Sequence, residues 1–202
     1  DNKTNNKAPQ KRSNTIVSIG QFRPEKNHAL QIQALATVLK QHPEHKDIKL
    51  LLIGSCRNES DRQRVDDLRK LVTQLELDDF VEFNINPPYS ELQASMQTAS
   101  MGIHTMRQEH FGIGIVEMMA AGLLTIAHNS GGPSTDIIVE PGITGYLATT
   151  ADDYANAIHQ ALTLSDAETM RQKAQAAATR FSDDVFDESM ERVVLPQLMM
   201  MK

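Results

Sequence analysis

The sequence predicts an α/β protein built on a doubly wound parallel sheet. Short apolar runs alternate with longer amphipathic stretches along most of the chain, and this alternation is typical of βαβ units with helices on both faces of the sheet. Glycines and charged residues follow the ends of the apolar runs, where such sheets bind their ligands. We therefore expect a Rossmann-like domain that ends in a helical C-terminal tail.

The first predicted elements are bounded by glycine and proline. A strand at 15–19 ends at Gly20, and a strand at 48–53 ends at Gly54. Between them, apolar residues recur at helical spacing and Pro43 follows the last of them, so a helix ends there. The predicted strands are 15–19, 48–53, 80–83, 101–105 and 123–127, and the predicted helices are 27–41, 58–75, 90–99, 152–164, 166–180 and 183–198.

Capping residues support the helix assignments. Ser90, after two prolines, is the predicted N-cap of its helix, and Ser or Asp opens each of the last three helices. The stretch 141–147 reads as a tight turn into a short strand. We assign residues 1–13, which are polar and lack periodicity, to a linker or tail, and residues 14–202 to one domain. Since the chain starts at Asp1 rather than Met, we expect it to be part of a larger protein.

Composition narrows the class of protein. With 202 residues, of which 40% are hydrophobic and 23% charged, the chain can form one well-buried domain or two small ones. A net charge of −6 without a long basic stripe argues against nucleic-acid binding. Cys56 is the single cysteine, which excludes an internal disulfide and fits a reducing compartment. No apolar run approaches the ~20 residues of a membrane span, and no signal peptide is visible.

The most informative feature is a pair of carboxylates, Glu109 and Glu117, eight residues apart in an otherwise apolar and glycine-rich stretch. That spacing allows both to face one side of a single element. A carboxylate in apolar surroundings costs several kcal/mol unless it is paired or hydrogen-bonded. Sugar hydroxyls could supply those hydrogen bonds. A buried ion pair would explain a single glutamate in these surroundings, but it explains two of them less readily.

Two glycine-containing loops are candidates for anion binding. In the loop from Gly20 to Asn27, Arg23 and Lys26 could contact a pyrophosphate beside a helix N-terminus. The same residues are equally compatible with a solvated turn. The pair Gly131 and Gly132 could expose successive N–H groups to an anion, or could form a tight turn.

Other reactive residue types give weaker signals. His110 lies within the glutamate stretch and could contact a ligand, whereas His104 and His128, near strand ends, are ambiguous. No cluster of His, Cys or Asp has metal-ligand spacing in the sequence, and Cys56 lacks a partnered base. The remaining histidines have ordinary helical or surface contexts: His28, His42, His45 and His159. Five methionines are predicted to fill the core: Met96, Met101, Met106, Met118 and Met119.

The absence of three sequence motifs removes other enzyme classes. No G-x-G-x-x-G follows the first strand, which disfavours a nicotinamide dehydrogenase, and no P-loop motif is present. No G-x-S-x-G elbow points to a hydrolase. A response regulator would need an acidic cluster after its first strand, where this chain has Gly20 and Gln21 instead.

Taken in order, the motifs resemble the C-terminal, nucleotide-sugar-binding half of retaining glycosyltransferases with the two-domain GT-B fold. That family carries Gly-Arg-Leu-x-x-x-Lys, then Glu-x-Phe-Gly-x-x-x-x-Glu, then Gly-Gly before a helix. The resemblance covers roughly residues 16–146. It departs at Gln21, where the family has arginine, and we transfer that role to Arg23 as a hypothesis.

The resemblance implies a role for each matching residue. Arg23 and Lys26 would hold the donor diphosphate beside Gly20 and act in catalysis by stabilising the leaving group. Glu109 would orient the donor sugar and Glu117 would bind the ribose. The remaining binding residues implied are Phe111, Gly112, Ile113 and Gly114, the glycines and Ile113 through their backbone amides.

Within the family, the stretches 18–28 and 109–117 are most similar to enzymes that transfer mannose from GDP-mannose in α-1,2 linkage to dolichol-linked oligosaccharides. This implies GDP-mannose as donor, no metal, retention of configuration, and a location on the cytosolic face of the endoplasmic reticulum. The lipid-linked oligosaccharide would be bound by an N-terminal domain missing here, so the chain alone should transfer sugar poorly. The family's base-binding region falls at 84–86, but nothing there selects guanine over uracil.

Three alternatives remain open. A related enzyme could use a UDP-sugar in the same fold. A sugar-nucleotide epimerase or a glycogen-synthase-like enzyme would share part of the motifs and differ in the acceptor. A non-catalytic nucleotide-binding module would keep the fold, although the presence of both glutamates speaks against it.

Overall fold

The structure is a computed structural model that describes residues 12–200, with side chains as far as residue 197. Its centre is a sheet of six strands in the order β3-β2-β1-β4-β5-β6, with every neighbouring pair parallel. This order is that of a Rossmann-type sheet, which confirms the predicted fold class. The strands are β1 (Ser13–Ile19), β2 (Lys49–Gly54), β3 (Val81–Ile85), β4 (Ala99–His104), β5 (Leu124–His128) and β6 (Tyr146–Ala148).

Helices cover both faces of the sheet because successive side chains of a strand point to opposite sides. Ile16 of β1 packs into a buried cluster with α1, α2 and α5, whereas its neighbour Val17 packs into a second cluster with α3, α4 and α6. The helices are α1 (His28–Gln41), α2 (Glu59–Gln74), α3 (Tyr89–Thr98), α4 (Ile113–Ala120), α5 (Ala151–Thr163), α6 (Ala167–Ala178), α7 (Asp183–Ser189) and α8 (Leu195–Met200).

Several predicted helix ends are wrong. Pro88, not Ser90, occupies the N-cap of α3, because a proline before the first turn already provides extended backbone. The N-cap of α5 is Thr150, whose hydroxyl accepts from Asp153 N–H while Asp153 caps the Thr150 N–H in return. The predicted helix at 183–198 is helical throughout, but its middle, Met190–Val194, is a π-helix between α7 and α8.

The predicted boundary of the tail also shifts. Residues 1–11 lie outside the described part of the chain. Ser13, however, is already the first residue of β1, and the Arg12 guanidinium donates to the carbonyls of Ala99 and Ala121 at 2.8 and 2.6 Å. Residues 12 and 13 therefore belong to the domain rather than to the tail.

The direction of the winding changes between β1 and β4, which are neighbours in the sheet. From β1 the chain moves outward to β2 and β3, then returns to β4 and moves outward the other way. Crevices at the carboxyl ends of strands beside such a point are the usual ligand sites of open α/β sheets. Within residues 12–200, no helix is long and apolar enough to cross a membrane.

Candidate functional site

The loop after β1 is fixed over the carboxyl ends of the neighbouring strands. Gly20 N–H donates to the carbonyl of Ile53 at 3.0 Å, which ties the loop to β2. At its other end, the Thr105 hydroxyl donates to the Lys26 carbonyl at 2.7 Å, which ties it to the end of β4. Asn27 adopts the left-handed conformation (φ 50°) before α1 begins. The Lys26 side chain is thereby held above the junction of β1 and β4.

Lys26 and Glu109 meet at this point. The ammonium Nζ donates to Glu109 Oε2 at 2.7 Å, and the two side chains are 25% and 15% exposed. Met106 Sδ lies 3.3 Å from the same ammonium, so Met106 lines the site and its prediction as core filling is wrong. The structure thus joins two of the three predicted catalytic residues, which lie 83 positions apart in the chain.

His104, at the end of β4, contacts the same carboxylate. Its Nε2 lies 3.4 Å from Glu109 Oε2. Burial, reinforced by the charge of Lys26, lowers the pKa of His104 to about 4, so the ring is neutral at neutral pH. A neutral ring with its proton on Nε2 can donate to Glu109. Its position directly after a buried strand, at the same sheet edge as Gly20, is the sequence signal that could have identified it.

The Glu109 carboxyl is ionised at neutral pH. Its partial burial favours the neutral form, but the hydrogen bond and charge of Lys26 outweigh this, and the pKa of Glu109 is lowered. Both side-chain contacts fall on Oε2, which leaves Oε1 facing no side-chain donor among the described residues. An ionised carboxylate only accepts hydrogen bonds, so this oxygen suits a hydroxyl group of a ligand.

The second glycine pair supports the loop that carries Glu109. Gly132 N–H donates to the Glu109 carbonyl at 2.9 Å, and Gln108 N–H donates to the Ser130 hydroxyl at 2.9 Å. A Cβ on Gly132 would lie 2.5 Å from the His110 carbonyl oxygen. Gly131, at φ +61°, is similarly close to the Glu109 carbonyl. The glycine pair is therefore required for the close packing of two backbone segments. Of the two alternatives that the sequence left open, anion binding or a tight turn, this packing supports the tight turn.

Glu109 and Glu117 do not lie on one element, so this interpretation is wrong. Gly112, at φ +100°, separates them as the N-cap of α4, and only Glu117 is helical. Its carboxylate makes no hydrogen bond or ion pair within residues 12–200. Glu117 is therefore free among the described side chains to bind a ligand, as its proposed role requires, and no hydrogen bond in the described part of the chain joins it to Glu109.

The N-terminus of α4 adds backbone donors to the site. Gly112 caps the helix without a side-chain hydrogen bond, and the first N–H groups of a helix, here those of Ile113 and Gly114, have no partner within it. A Cβ on Gly114 would lie 3.9 Å from the Ile19 carbonyl oxygen, so the helix begins beside the end of β1. Gly20, Lys26 and this helix start share one edge of the sheet.

Two other predicted residues have different partners. Arg23 pairs with Glu25 at 2.9 Å and donates to the Gln21 side chain at 3.2 Å, and its side chain is 41% exposed. Its guanidinium forms no ion pair with Glu109, and its contact with Lys26 is a backbone one, Lys26 N–H donating to the Arg23 carbonyl at 3.1 Å. The Phe111 ring packs edge to face on Phe181, 5.4 Å between centroids, and thus belongs to the surface formed with the C-terminal segment.

The region predicted to meet the base lies beside a cleft of about 260 Å³ that includes Gly20, Gly54 and Asn86. The Asn86 amide is already bonded to the Cys56 backbone, with Oδ1 accepting from Cys56 N–H at 2.9 Å. Asn84 donates to Glu91 at 3.3 Å. Both amides therefore support the loops around the cleft.

Cys56 is buried, and burial raises the pKa of its thiol, which makes it inert as a nucleophile.

The fold and this site place the chain in a family of glycosyltransferases. The family described as glycosyl transferases group 1 matches residues 1–180, and the chain belongs to this family. It is 49% identical over 178 residues to the human GDP-Man:Man(3)GlcNAc(2)-PP-Dol alpha-1,2-mannosyltransferase. This match covers 85% of this chain and 36% of the human relative. The Dictyostelium discoideum enzyme of the same name is 44% identical over 190 residues, covering 92% and 37%.

Solved structures agree on the fold. Anabaena HepE in complex with UDP-glucose superposes with a TM-score of 0.78 at 24% identity, covering 90% of this chain and 48% of that one. Sucrose-phosphate synthase from Thermosynechococcus elongatus gives 0.78 at 26% identity, covering 94% and 46%. The chain therefore has the fold of one half of a GT-B enzyme, and it spans little more than a third of the mannosyltransferases that it matches.

Proposed function

We propose that this chain is the donor-binding domain of a retaining α-1,2-mannosyltransferase that uses GDP-mannose. The observation that carries the proposal is the Lys26–Glu109 pair. It lies where the winding direction changes between β1 and β4, beside the first N–H groups of α4. A cation and helix donors suit a diphosphate. A carboxylate with one free oxygen suits sugar hydroxyls. The names of the relatives support mannose and guanosine diphosphate as the donor's parts.

In this proposal, Lys26 acts on both parts of the donor. An ammonium has three donor hydrogens, so Lys26 can keep its bond to Glu109 at 2.7 Å and still donate to a phosphate oxygen. As the bond from sugar to phosphate breaks, negative charge grows on the diphosphate, and Lys26 with the N–H groups of Ile113 and Gly114 would stabilise it. The sugar passes through an oxocarbenium-like state. Glu109 holds its hydroxyls and does not attack.

Arg23 reaches the diphosphate only if it leaves Glu25. Both of these side chains are more than a third exposed, so the pair is weak and screened by water, and exchange for a phosphate is inexpensive. These cations and N–H groups would supply the positive charge that the diphosphate needs, and we include no metal ion in the donor site. Glu117, which has no partner in the described chain, would bind the ribose hydroxyls.

We also propose that the acceptor, a lipid-linked oligosaccharide, is bound by a part of the protein that this chain does not span. The chain covers 36% of the human relative, and transfer needs acceptor and donor held together with water excluded. We further propose that the complete protein works at the endoplasmic reticulum membrane with its donor site on the cytosolic side, and the dolichol in the relatives' names supports a membrane-bound acceptor.

Calorimetric titration of the chain with GDP-mannose, GDP and UDP-glucose tests the proposal. We expect GDP-mannose to bind more tightly than UDP-glucose, and Glu109→Gln to weaken GDP-mannose while leaving GDP almost unchanged, because Glu109 contacts only the sugar. Glu117→Ala should weaken GDP and GDP-mannose alike. Glu140→Ala, which changes an exposed carboxylate far along the chain, is the matched control.

Other results would replace the proposal by a defined alternative. A preference for UDP-glucose would leave the assignment of the fold intact and overturn GDP-mannose as the donor. This result would be expected if the likeness to HepE extended to its ligand. Equal affinity for GDP and GDP-mannose, unaffected by Glu109→Gln, would favour a nucleotide-binding module without transferase function. No binding by the folded chain would overturn the assignment of a complete donor site.

A further inference from the structure

A cluster of three histidines and one glutamate lies outside the donor site. His42 and His45 come from the turn after α1, together with Glu44, and His159 comes from the last part of α5. One ligand atom from each of the four residues lies within 4.8 Å of all the others. The sequence places three of the four residues within 42–45, but it gives no sign of the fourth, because 114 positions separate His45 from His159.

The distances between these atoms approach those of a metal-ion coordination shell. Glu44 Oε1 lies 3.3 Å from His42 Nδ1 and 3.9 Å from His45 Nε2, and His45 Nε2 lies 3.0 Å from His159 Nδ1. A tetrahedral zinc site with bonds of about 2.0–2.1 Å places its ligand atoms about 3.3–3.4 Å apart. The four ligand atoms are therefore already close to the spacing of a coordination shell.

We propose that His42, Glu44, His45 and His159 form a binding site for a divalent ion of the zinc type. Imidazole nitrogens and one carboxylate are ligands that Zn²⁺ prefers, whereas Mg²⁺ and Ca²⁺ prefer oxygen alone. Four protein ligands leave no position open for substrate, which is the arrangement of structural rather than catalytic zinc. The site is structural: it joins the end of α1 to α5.

Binding requires one ring to turn. A metal ion lies in the plane of each imidazole that it binds, but the rings of His42 and His159 are stacked at 10°, with centroids 3.6 Å apart. Rotation of His42 about its Cβ–Cγ bond resolves this, and the ring has room to turn because its side chain is 26% exposed. Glu44, at 59% exposure, gives the ion a path from solvent.

The proposed site lies at the opposite edge of the sheet from Lys26 and Glu109. His45 precedes the start of β2 by only a few residues, and α5 runs back from the end of β6 toward the amino ends of the strands. The donor site is formed by the carboxyl ends. An ion here would therefore not contact the donor, and its effect would be on the packing of α1 against α5.

Titration of the chain with Zn²⁺ at neutral pH, followed by calorimetry and thermal unfolding, tests the proposal. We expect one ion per chain and a Tm that rises with zinc concentration, since an ion that binds the folded state stabilises it. Co²⁺ should give the intense visible absorption of a tetrahedral site, and Zn²⁺ should displace it. Mg²⁺ should do neither.

Variants separate this site from nonspecific binding. His159→Ala should abolish the Co²⁺ spectrum. Glu44→Gln, which changes an exposed side chain and leaves the fold intact, should weaken Zn²⁺ binding at least tenfold, because losing even an outer-shell partner costs about 10–100-fold. His110→Ala removes an exposed histidine elsewhere and should change nothing. Zinc binding that is unaltered by Glu44→Gln and His159→Ala, or absent from the folded chain, would overturn the proposal.

Discussion

At the scale of single residues, the donor site depends on how Glu109 is compensated. Its side chain is 15% exposed, its charged partner is Lys26, and His104 Nε2 lies 3.4 Å from the same oxygen. Removing one partner of such a pair costs more than the pair contributes, because the other charge remains in a poorly solvated place. The contact that carries the proposed function therefore also contributes to local stability.

Lys26→Ala should lower the free energy of unfolding by about 1–3 kcal/mol, the cost of leaving a buried polar group without its partner. Chemical denaturation at neutral pH measures it. The matched control is Lys70→Ala, which removes an ion pair with Asp67 whose side chains are 66% and 60% exposed and should cost less than about 1 kcal/mol. Equal effects of the two variants would show that Glu109 is well solvated and would contradict the pairing.

At the scale of elements, the site is shaped by two backbone segments in close contact. The loop of residues 108–111 rests on Gly131 and Gly132 through the Gly132–Glu109 and Gln108–Ser130 hydrogen bonds. This contact, rather than a shared helix, holds Glu109 at the end of β4. Glycine is needed at both positions because a side chain would enter the space of the facing carbonyl oxygens.

Gly132→Ala should displace the Glu109 loop, since its Cβ would lie 2.5 and 2.8 Å from the carbonyl oxygens of His110 and Phe111. We expect weaker binding of GDP-mannose and a lower Tm, measured by calorimetry and thermal unfolding. Gly142→Ala is the comparison: its φ of +81° strains the variant backbone, but its Cβ meets nothing within 4 Å. That variant should lose some stability and keep donor affinity, and a parallel loss in both would contradict the role of Gly132.

The N-terminus of α5 offers a test of local stability. Thr150 accepts from Asp153 N–H at 3.2 Å and Asp153 accepts from Thr150 N–H at 2.8 Å. Thr150→Ala should cost about 1 kcal/mol in the free energy of unfolding, as for other N-caps. Thr37→Ala removes a half-buried threonine inside α1 whose hydroxyl donates only to the Gln33 carbonyl. It should stay within about 0.5 kcal/mol, and a Thr150→Ala effect no larger than this would exclude the cap as a stabilising feature.

At the scale of the whole molecule, buried histidines make the folded state sensitive to acid. Burial lowers the pKa of His28 and of His104 from 6.5 to about 4. His28 stacks on Phe22 with 4.9 Å between ring centroids, and its Nδ1 has no partner among the described residues. In the unfolded chain both rings accept a proton near pH 6.5, so unfolding takes up protons between the two pKa values.

The free energy of unfolding should therefore fall as the pH is lowered from about 6.5 to about 4, by up to about 3 kcal/mol for each histidine. Glu109, whose pKa is lowered, adds a further loss at the acid end of this range. Denaturant titrations across the range measure the slope. His28→Phe keeps an aromatic ring against Phe22 and should reduce the slope, whereas an unchanged slope would mean that His28 is already solvated.

The sequence by itself determined the sheet and most of its elements. Short apolar runs such as Ile16 and Val17, and glycines at strand ends such as Gly20, are local patterns that mark buried strands and the turns after them. They were sufficient for the order of elements and for the candidates Lys26 and Glu109, which the structure brings into contact. They failed where local signals compete, as at Ser90 beside Pro88.

Only the tertiary structure decided which distant side chains meet. Strand order brings His104 and Lys26 to Glu109, and the packing of α1 against α5 places His159 against His42 and His45. Such contacts depend on the order in which the crossover connections place distant strands in the sheet, and the packing of helices on both sheet faces fixes that order. The spacing of residues within one segment carries no information about these contacts, because the packing of the whole core determines which distant residues become neighbours.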